Sequence, residues 1–245
     1  MLAIPEDIKI DADQKEEKKI LDLTKRWLEQ EPRTPGIHVS DLLDPKRAWF
    51  KKKDAKRKLT DREAGTFLVG KVLHAFIESA AAKKDGLDLA SDGGSRTSKA
   101  LGIEYSIDHQ GVDKIPVEVK TSRSMYAPKG IKDLSMYAEQ LLCYMVAENQ
   151  CTGKIWVLYL NLKDEQNRTS PEYRCYTVTV TKKALAAYKA QILKTRKALE
   201  SALTKKTPDS LDHCRTWLCG ERMCEYWHKC KPKKRYGRTA SKWDK

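Results

Sequence analysis

The sequence lacks the features that would place this protein in a membrane or outside a cell. Its 245 residues contain no uninterrupted apolar run of about 18 residues, the length that a membrane-spanning helix requires. The first residues, MLAIPEDIKIDADQKEEKK, contain acids where a secretory signal has a basic head and a long apolar run. We therefore expect an intracellular, cytoplasmic protein, or one of the host cytoplasm if its source is viral.

Cysteine is absent before Cys143, and nothing directs the export that a disulfide framework needs. Four of the seven cysteines follow the spacing C-x4-C-x4-C-x5-C: Cys214, Cys219, Cys224 and Cys230. Four thiolates this close in a reducing compartment repel each other unless they share a metal. The residues alone fit either tetrahedral zinc or an iron-sulfur cluster, because both accept four cysteine ligands.

Acidic residues are too few to balance the bases, which leaves a formal net charge of +14. Residues 46–62 contain nine bases and two acids, and residues 189–245 contain sixteen bases and six acids. This charge attracts a polyanion, so we expect nucleic acid as the partner. No base-reading module is recognisable, which argues against sequence-specific binding.

Aromatic residues beside the basic ones are few: Trp49, Phe50, Tyr126, Trp217, Tyr226 and Trp227. Rings in such surroundings can stack on unpaired bases. Packing in the core is the simpler interpretation for most of them.

Hydrophobic periodicity predicts alternating helices and strands and no internal repeat. Helices are expected over 15–29, 60–82, 132–148 and 182–203, and strands over 100–108, 115–120, 155–162 and 173–180. Residues 86–99 are rich in Gly, Ser and Asp, which predicts a loop. On the first helix, an apolar face is expected to point inward: Ile20, Leu21, Leu23, Trp27 and Leu28.

The stretch SIDHQGVDKIPVEVKTS brings two acids and a lysine to adjacent strand ends. One predicted strand ends on Asp108, and the next contains Glu118 and Lys120, which alternation places on one face. Paired carboxylates suit a hard cation such as Mg²⁺ or Mn²⁺, and phosphodiester hydrolysis requires a metal with a nearby positive charge. The same spacing also fits a surface hairpin with an incidental ion pair.

Two of the predicted helices contain further polar residues. His74 lies among apolar neighbours, and Gln140 and Tyr144 lie one turn apart. Taken alone, each of these three residues is explained by a position in the core, where its polar groups form hydrogen bonds. A buried Gln or Tyr without a partner costs free energy, however, which suggests that Gln140 and Tyr144 point into a polar site.

The order of these residues resembles the RecB-like branch of the PD-(D/E)XK nuclease superfamily, in particular the Cas4-like exonucleases, over residues 37–230. That pattern comprises an S-x-L segment with a basic, aromatic helix, then G-x-x-x-H, I-D, E-x-K and Q-x-x-x-Y. It is matched by IHVSDLLDPKRAWF, by Gly70 and His74, by Ile107 and Asp108, by Glu118 and Lys120, and by Gln140 and Tyr144. Each match alone is weak, but five in the right order are strong.

The resemblance implies an α/β fold, in which a restriction-endonuclease-like core has a central mixed β-sheet flanked by helices. It implies these ligands for Mg²⁺ or Mn²⁺: His74, Asp108, Glu118 and, through its carbonyl, Val119. Lys120 would position or activate the attacking water. Gln140 and Tyr144 would contact the DNA backbone or order the site.

The chain is expected to divide into four parts. These are an N-terminal helical extension (1–36), the nuclease core (37–205), a four-cysteine segment packed on the core (206–232) and a basic, flexible tail (233–245).

Similar nucleases hold a [4Fe-4S] cluster through one early cysteine and three late ones, spaced C-x2-C-x5-C. Cys224 and Cys230 keep the last interval, but Asp44 stands where the early cysteine is expected. Cys214 is the most economical replacement for the missing early cysteine. The cluster would then cross-link residues within the C-terminal segment only. The widened first interval keeps structural zinc as the alternative.

The resemblance predicts a divalent-metal-dependent DNA exonuclease that prefers single-stranded or end-containing DNA. Its setting would be recombination, replication or CRISPR spacer processing, with a helicase, recombination or CRISPR-integration protein as a possible partner and no membrane. One alternative is a nucleic-acid-binding or processing subunit that is active only within a larger complex, and another is an RNA nuclease. Two acids crowded near a phosphate path favour catalysis over binding alone.

Overall fold

The computed structural model describes residues 14–29, 34–54, 58–82, 89–91, 95–111, 114–129, 131–212 and 224–230. The α-helices in these ranges are α1 (Gln14–Glu29), α2 (Val39–Leu43), α3 (Pro45–Lys53), α4 (Asp61–Ala82), α5 (Ser135–Ala147), α6 (Lys182–Lys205) and α7 (Trp227–Cys230). The strands are β1 (Leu89–Ser91), β2 (Ser95–Ser98), β3 (Ile103–Ser106), β4 (His109–Gly111), β5 (Pro116–Ser122), β6 (Thr152–Lys163) and β7 (Thr169–Thr179). A short 3-10 helix, Ile131–Leu134, leads into α5.

Five strands form a mixed sheet in the order β1, β4, β5, β6, β7. The β5–β6 pair is parallel, and the other three pairings in this sheet are antiparallel. Strands β2 and β3 form a separate antiparallel pair. A parallel pair requires a crossover connection, which α5 supplies. The predicted α/β fold, with a central mixed sheet flanked by helices, is confirmed.

The main core lies between the sheet and helix α5 and extends to α6, which packs on α5. Leu141 and Met145 of α5, Leu199 of α6, and Ile155 and Val157 of β6 are fully buried in one cluster. Burying a side chain of this size contributes roughly 2 kcal/mol relative to leaving it exposed. Because α5 contacts both β5 and β6, this packing fixes the helix above the parallel pair.

The opposite face of the sheet buries a smaller apolar cluster. Val117 and Val119 of β5 pack there with Trp156 of β6, and α4 contacts β5. Strand alternation therefore sends Val117 and Val119 to one face, while Glu118 and Lys120 point to the face that α5 covers.

The predicted helices correspond to α1, α4, α5 and α6, and the predicted strand pair near residues 155–180 corresponds to β6 and β7. Helix α4 begins with a capping box, because the Glu63 N–H donates to Thr60 Oγ1 and the Thr60 N–H donates to the Glu63 carboxylate. None of the helices in the described ranges has the length and apolar character of a membrane span.

Two local predictions were wrong. The segment 86–99, predicted as a loop, contains β1 and β2, because pairing with β4 and with the adjacent β3 overrides a composition that is poor in strand formers. On α1, Ile20, Leu23 and Trp27 are more than half exposed, although this face was expected to point inward. The physical reason is that α1 packs mainly against α4, which covers only part of its apolar face.

Candidate active site

Strand β5, the bend before β4 and helix α5 bring together five of the predicted site residues. Glu118 and Lys120 lie on β5, and Asp108 lies in the bend between β3 and β4. Gln140 and Tyr144 lie one turn apart on α5. Lys120, Asp108 and the Tyr144 hydroxyl all act electrostatically on the Glu118 carboxyl, and Gln140 is hydrogen-bonded to Tyr144, so the five residues form one site.

Asp108 is anchored to the strand that contains Glu118. The Val119 N–H donates to Asp108 Oδ2 at 2.6 Å. The strand predicted over 100–108 is interrupted here, since β3 ends at Ser106 and the chain bends at Asp108 before β4. The bend turns the carboxylate toward the middle of β5, which places two acids side by side.

Glu118 is fully buried, with 0% of the residue exposed. Its carboxylate contacts the Lys120 ammonium, while neither oxygen accepts a hydrogen bond of normal geometry from the described residues. Burial raises the pKa of Glu118 to about 8, with Lys120 opposing the rise and Asp108 adding to it. Near neutral pH the carboxyl therefore holds its proton most of the time, and a bound cation would favour its release.

Lys120 remains a cation and remains accessible. Burial lowers the pKa of Lys120, but the charge of Glu118, once that carboxyl is ionised, and the charge of Asp108 more than offset this, so the pKa stands above its ordinary value. The side chain is 26% exposed, in contrast to the fully buried Glu118 beside it. The site thus presents a permanent positive charge to solvent above a buried acid.

Gln140 and Tyr144 form a hydrogen-bonded pair on α5. Gln140 Nε2 donates to the Tyr144 hydroxyl at 2.6 Å, and Tyr144 is 3% exposed. Burial, together with the nearby Glu118 charge, raises the pKa of Tyr144 well above its ordinary value, so the hydroxyl keeps its proton. The Tyr144 oxygen accepts from Gln140, and the Tyr144 hydroxyl also acts electrostatically on the Glu118 carboxyl and lowers its pKa.

Sequence reasoning missed a further member of the site, Tyr137. It lies three residues before Gln140 and seven before Tyr144, so all three share one face of α5. Burial raises the pKa of Tyr137, while the Lys120 charge and a hydrogen bond from Ser122 lower it, which places the hydroxyl beside both groups. The helical spacing to Gln140 and Tyr144 is the signal that could have identified this residue.

The two carboxylates fit a divalent cation. Asp108 and Glu118 interact through their charges, and the buried Glu118 oxygens are the type of ligand that Mg²⁺ and Mn²⁺ prefer. The third predicted side-chain ligand, His74, lies on α4, but its side chain is outside the described part of the chain. No group of three His, Cys, Asp or Glu residues is arranged for a metal among the residues that are described. Val119 follows Glu118 in the sequence, and its N–H donates a hydrogen bond to the Asp108 carboxylate. The Val119 carbonyl remains a predicted metal ligand.

A scan against protein-family models finds no match, and a search of curated proteins finds no significant match. Among solved structures, SSO0001 aligns with a TM-score of 0.58 at 18% sequence identity, over 87% of this chain and 95% of that chain. The two proteins share a fold. LHK-Exo, solved in complex with dAMP, aligns with a TM-score of 0.47 at 11% identity over 70% of this chain and 91% of its own. A phage-related exonuclease from Haemophilus somnus 129PT aligns with a TM-score of 0.45 at 11% identity, over 76% of this chain and 99% of that chain.

The predicted cysteine site is described in part. Cys214 and Cys219 fall within 213–223, outside the described residues, whereas Cys224 precedes α7 and Cys230 ends it. The thiols of Cys224 and Cys230 are half-buried, and burial raises the pKa of each. They therefore stay protonated near neutral pH unless a metal binds them.

The segment 224–230 packs against α3, the basic and aromatic helix near the N-terminus. The Arg47 guanidinium makes a bidentate pair with the Glu225 carboxylate at 3.0 to 3.2 Å, and the Phe50 ring stacks on Tyr226 at 5.5 Å between centroids. Asp44, at the position where the sequence resemblance predicts a cysteine, is buried at the start of α3. Side-chain contacts thus join α3 to the C-terminal segment without a cysteine at residue 44.

Proposed function

We propose that the protein is a divalent-metal-dependent nuclease that hydrolyses phosphodiester bonds in DNA, of the Cas4-like and RecB-like exonuclease type. The observation that supports it is the buried Glu118 carboxyl between Asp108 and the accessible Lys120 ammonium. A buried acid with a second acid beside it is unfavourable for stability, which argues that the arrangement serves chemistry.

Each residue has a role that follows from its position. Asp108 and Glu118, with the Val119 carbonyl and His74, would hold Mg²⁺ or Mn²⁺, which when bound polarises a phosphoryl oxygen. Lys120 would orient the attacking water and stabilise the negative charge that develops on the phosphate, because its ammonium stays charged and reaches solvent.

Gln140 and Tyr144 act on the geometry of the site. Their hydrogen bond fixes the Tyr144 hydroxyl, which acts electrostatically on the Glu118 carboxyl. Tyr137, half-buried and next to Lys120, lies where its hydroxyl can meet the phosphate or hold the ammonium in place. These restraints reduce the reorganisation that the site needs when a substrate binds.

The charge of the chain supports nucleic acid as the substrate. The net charge of +14 would attract a phosphate backbone and make binding sensitive to salt. We propose single-stranded or end-containing DNA, used in recombination, replication or CRISPR spacer processing. The four C-terminal cysteines would bind a [4Fe-4S] cluster, or zinc, that stabilises the end of the chain against α3.

The test is digestion of end-labelled single- and double-stranded DNA by anaerobically purified protein with Mg²⁺ or Mn²⁺. Lys120→Ala and Asp108→Ala should abolish cleavage and keep salt-sensitive DNA binding. Lys183→Ala, which changes an exposed lysine of α6, is the matched control and should cleave like the wild type.

The pattern of products and variants decides the outcome. Laddering from one end, absent in Lys120→Ala, supports an exonuclease and gives its polarity. Near-wild-type cleavage by both site variants would remove Asp108 and Lys120 from the reaction. Retained binding without cleavage by the wild type would instead favour a subunit that is active only within a larger complex, and cleavage of RNA alone would favour an RNA nuclease.

A further inference from the structure

The loop after β5 exposes an aromatic ring close to the candidate site. Residues 123–129 follow Ser122, which is two residues beyond Lys120 on the same strand. Tyr126 is 62% exposed and Met125 is 44% exposed, so the loop presents an apolar surface to solvent. Tyr126 is the sixth residue after Lys120, which limits the distance between their Cα atoms to about 20 Å.

Hydrogen bonds hold this loop in one conformation. Ser124 Oγ donates to the Tyr126 carbonyl at 2.8 Å and accepts from the Tyr126 N–H at 3.2 Å. The Lys163 N–H donates to the Met125 carbonyl at 3.0 Å, which ties the loop to the end of β6. The Lys129 N–H donates to Asp133 Oδ2 at 2.8 Å and fixes the far end. The exposed ring is therefore positioned in advance and loses little conformational freedom on binding.

Basic residues lie near the ring, one of them in direct contact and two of them in the same loop. Lys163 Nζ lies 5.9 Å from the centre of the Tyr126 ring, and Arg123 and Lys129 lie within three residues of it in the same loop. Two acids near the ends of the loop and of β6 are already engaged, Asp133 by the Lys129 N–H and Asp164 by Arg168 Nε at 2.7 Å. The combination of an exposed aromatic ring with cations is typical of surfaces that bind single-stranded nucleic acid.

We propose that Tyr126 is a stacking platform for an unpaired base of single-stranded DNA, with Lys163 and Arg123 holding the adjacent phosphates. This inference rests on the proposed nuclease function. The strand held at Tyr126 would be the same strand whose scissile phosphate lies at Lys120. Base stacking tolerates every base, which agrees with a protein that has no base-reading module. The platform would hold the unpaired strand of an end at a fixed distance from the acids.

The test measures binding of a fluorescein-labelled oligothymidine by anisotropy in buffer without divalent metal, so that cleavage does not occur. A second oligonucleotide has the same backbone with abasic sugars. Tyr126→Ala should weaken binding of oligothymidine about five- to 150-fold, because stacking is worth about 1–3 kcal/mol per base. Tyr126→Phe keeps the ring and should bind almost as tightly as the wild type.

The abasic strand separates stacking from charge. The wild type should prefer oligothymidine to the abasic strand, and Tyr126→Ala should lose that preference while keeping its affinity for the backbone. Tyr173→Ala removes another exposed tyrosine, 47% exposed on β7, and should change neither affinity. Thermal unfolding of each variant shows whether the fold is retained, and the Tyr126→Phe comparison stands even if the alanine variant is less stable.

Several outcomes would overturn the platform. Equal affinity of the wild type and Tyr126→Ala for oligothymidine, or a wild type that binds the abasic strand as tightly, would show that no base stacks on this ring. Absence of any DNA binding by the wild type would do the same. These results are independent of the Lys120→Ala cleavage assay, so a failure of the platform is distinguishable from a failure of the nuclease proposal.

Discussion

Replacing Glu118 with glutamine should change how the stability of the protein depends on pH. Glu118 is fully buried, and its pKa is raised from 4.5 to about 8, so the folded protein binds a proton that the unfolded chain releases. The stability contributed by the protonated acid is fully present below about pH 4.5 and is lost as the pH rises through about 8. Glutamine has the shape of the protonated acid and cannot ionise, so the variant should not show this loss.

The size of the effect follows from the same pKa values. The interval from 4.5 to about 8 corresponds to roughly 5 kcal/mol, because one pKa unit is worth about 1.4 kcal/mol. This is an upper limit, since water entering the site stabilises the charged form. We expect Glu118→Gln to match the wild type near pH 4.5 and to exceed it in free energy of unfolding by about 2–5 kcal/mol above pH 8.

Urea unfolding followed by circular dichroism, at a series of pH values without divalent metal, measures this difference directly. Only the difference between the two proteins matters, because other titrating groups contribute to both. Adding Mg²⁺ or Mn²⁺ above pH 8 should stabilise the wild type more than Glu118→Gln, since the cation needs the ionised carboxylate. A difference that stays constant from pH 4.5 to above pH 8 would refute the raised pKa of Glu118 and the role that we assign to its burial.

Two further predictions concern the framework of the site. Arg47→Ala removes the ion pair with Glu225, so it should lower the free energy of unfolding by about 1–2 kcal/mol and expose the segment 224–230 to limited proteolysis. The control, Lys229→Ala, breaks the more exposed pair with Asp54 and should lower the free energy of unfolding by less than about 0.5 kcal/mol. Equal proteolysis of the two variants would contradict this role for Arg47. Gly102→Ala should lower the free energy of unfolding, measured by thermal unfolding, by about 1–3 kcal/mol, because φ is +62° there and a Cβ would collide with the Arg196 guanidinium. Gly65 lies in open space on α4, so Gly65→Ala should instead raise the free energy of unfolding by about 0.5–1 kcal/mol. Similar effects at both glycines would contradict the positive φ.

The sequence allows the central part of the site to be predicted because it is encoded by short-range periodicity. Alternation along β5 places Glu118 and Lys120 on one face, and helical spacing places Gln140 and Tyr144 on one face of α5. Both patterns depend only on neighbouring residues, and the structure brings these four side chains together. Tyr137 follows the same helical spacing and could have been predicted with them.

The rest depends on contacts between distant parts of the chain. Strand β1 forms by pairing with the distant β4, in a segment whose composition predicts a loop, whereas β2 in the same segment forms a hairpin with the adjacent β3. The bend at Asp108 is stabilised by the Val119 N–H, eleven residues away, and no local pattern indicates that bond. The exposed face of α1 has the same cause, because periodicity identifies an apolar stripe but not how much of it a neighbour covers.

The parallel pairing of β5 with β6 has a consequence for how the site forms. Six site side chains, from Asp108 to Tyr144 and including Tyr137, belong to one stretch of the sequence that runs from the bend before β4 through β5 and into α5. We expect such a stretch to open as a cooperative unit, because units of local unfolding often coincide with supersecondary motifs. Hydrogen exchange should therefore give the amides of β5 and α5 a common opening free energy, and partial unfolding would remove both acids, the lysine and their supports in a single step.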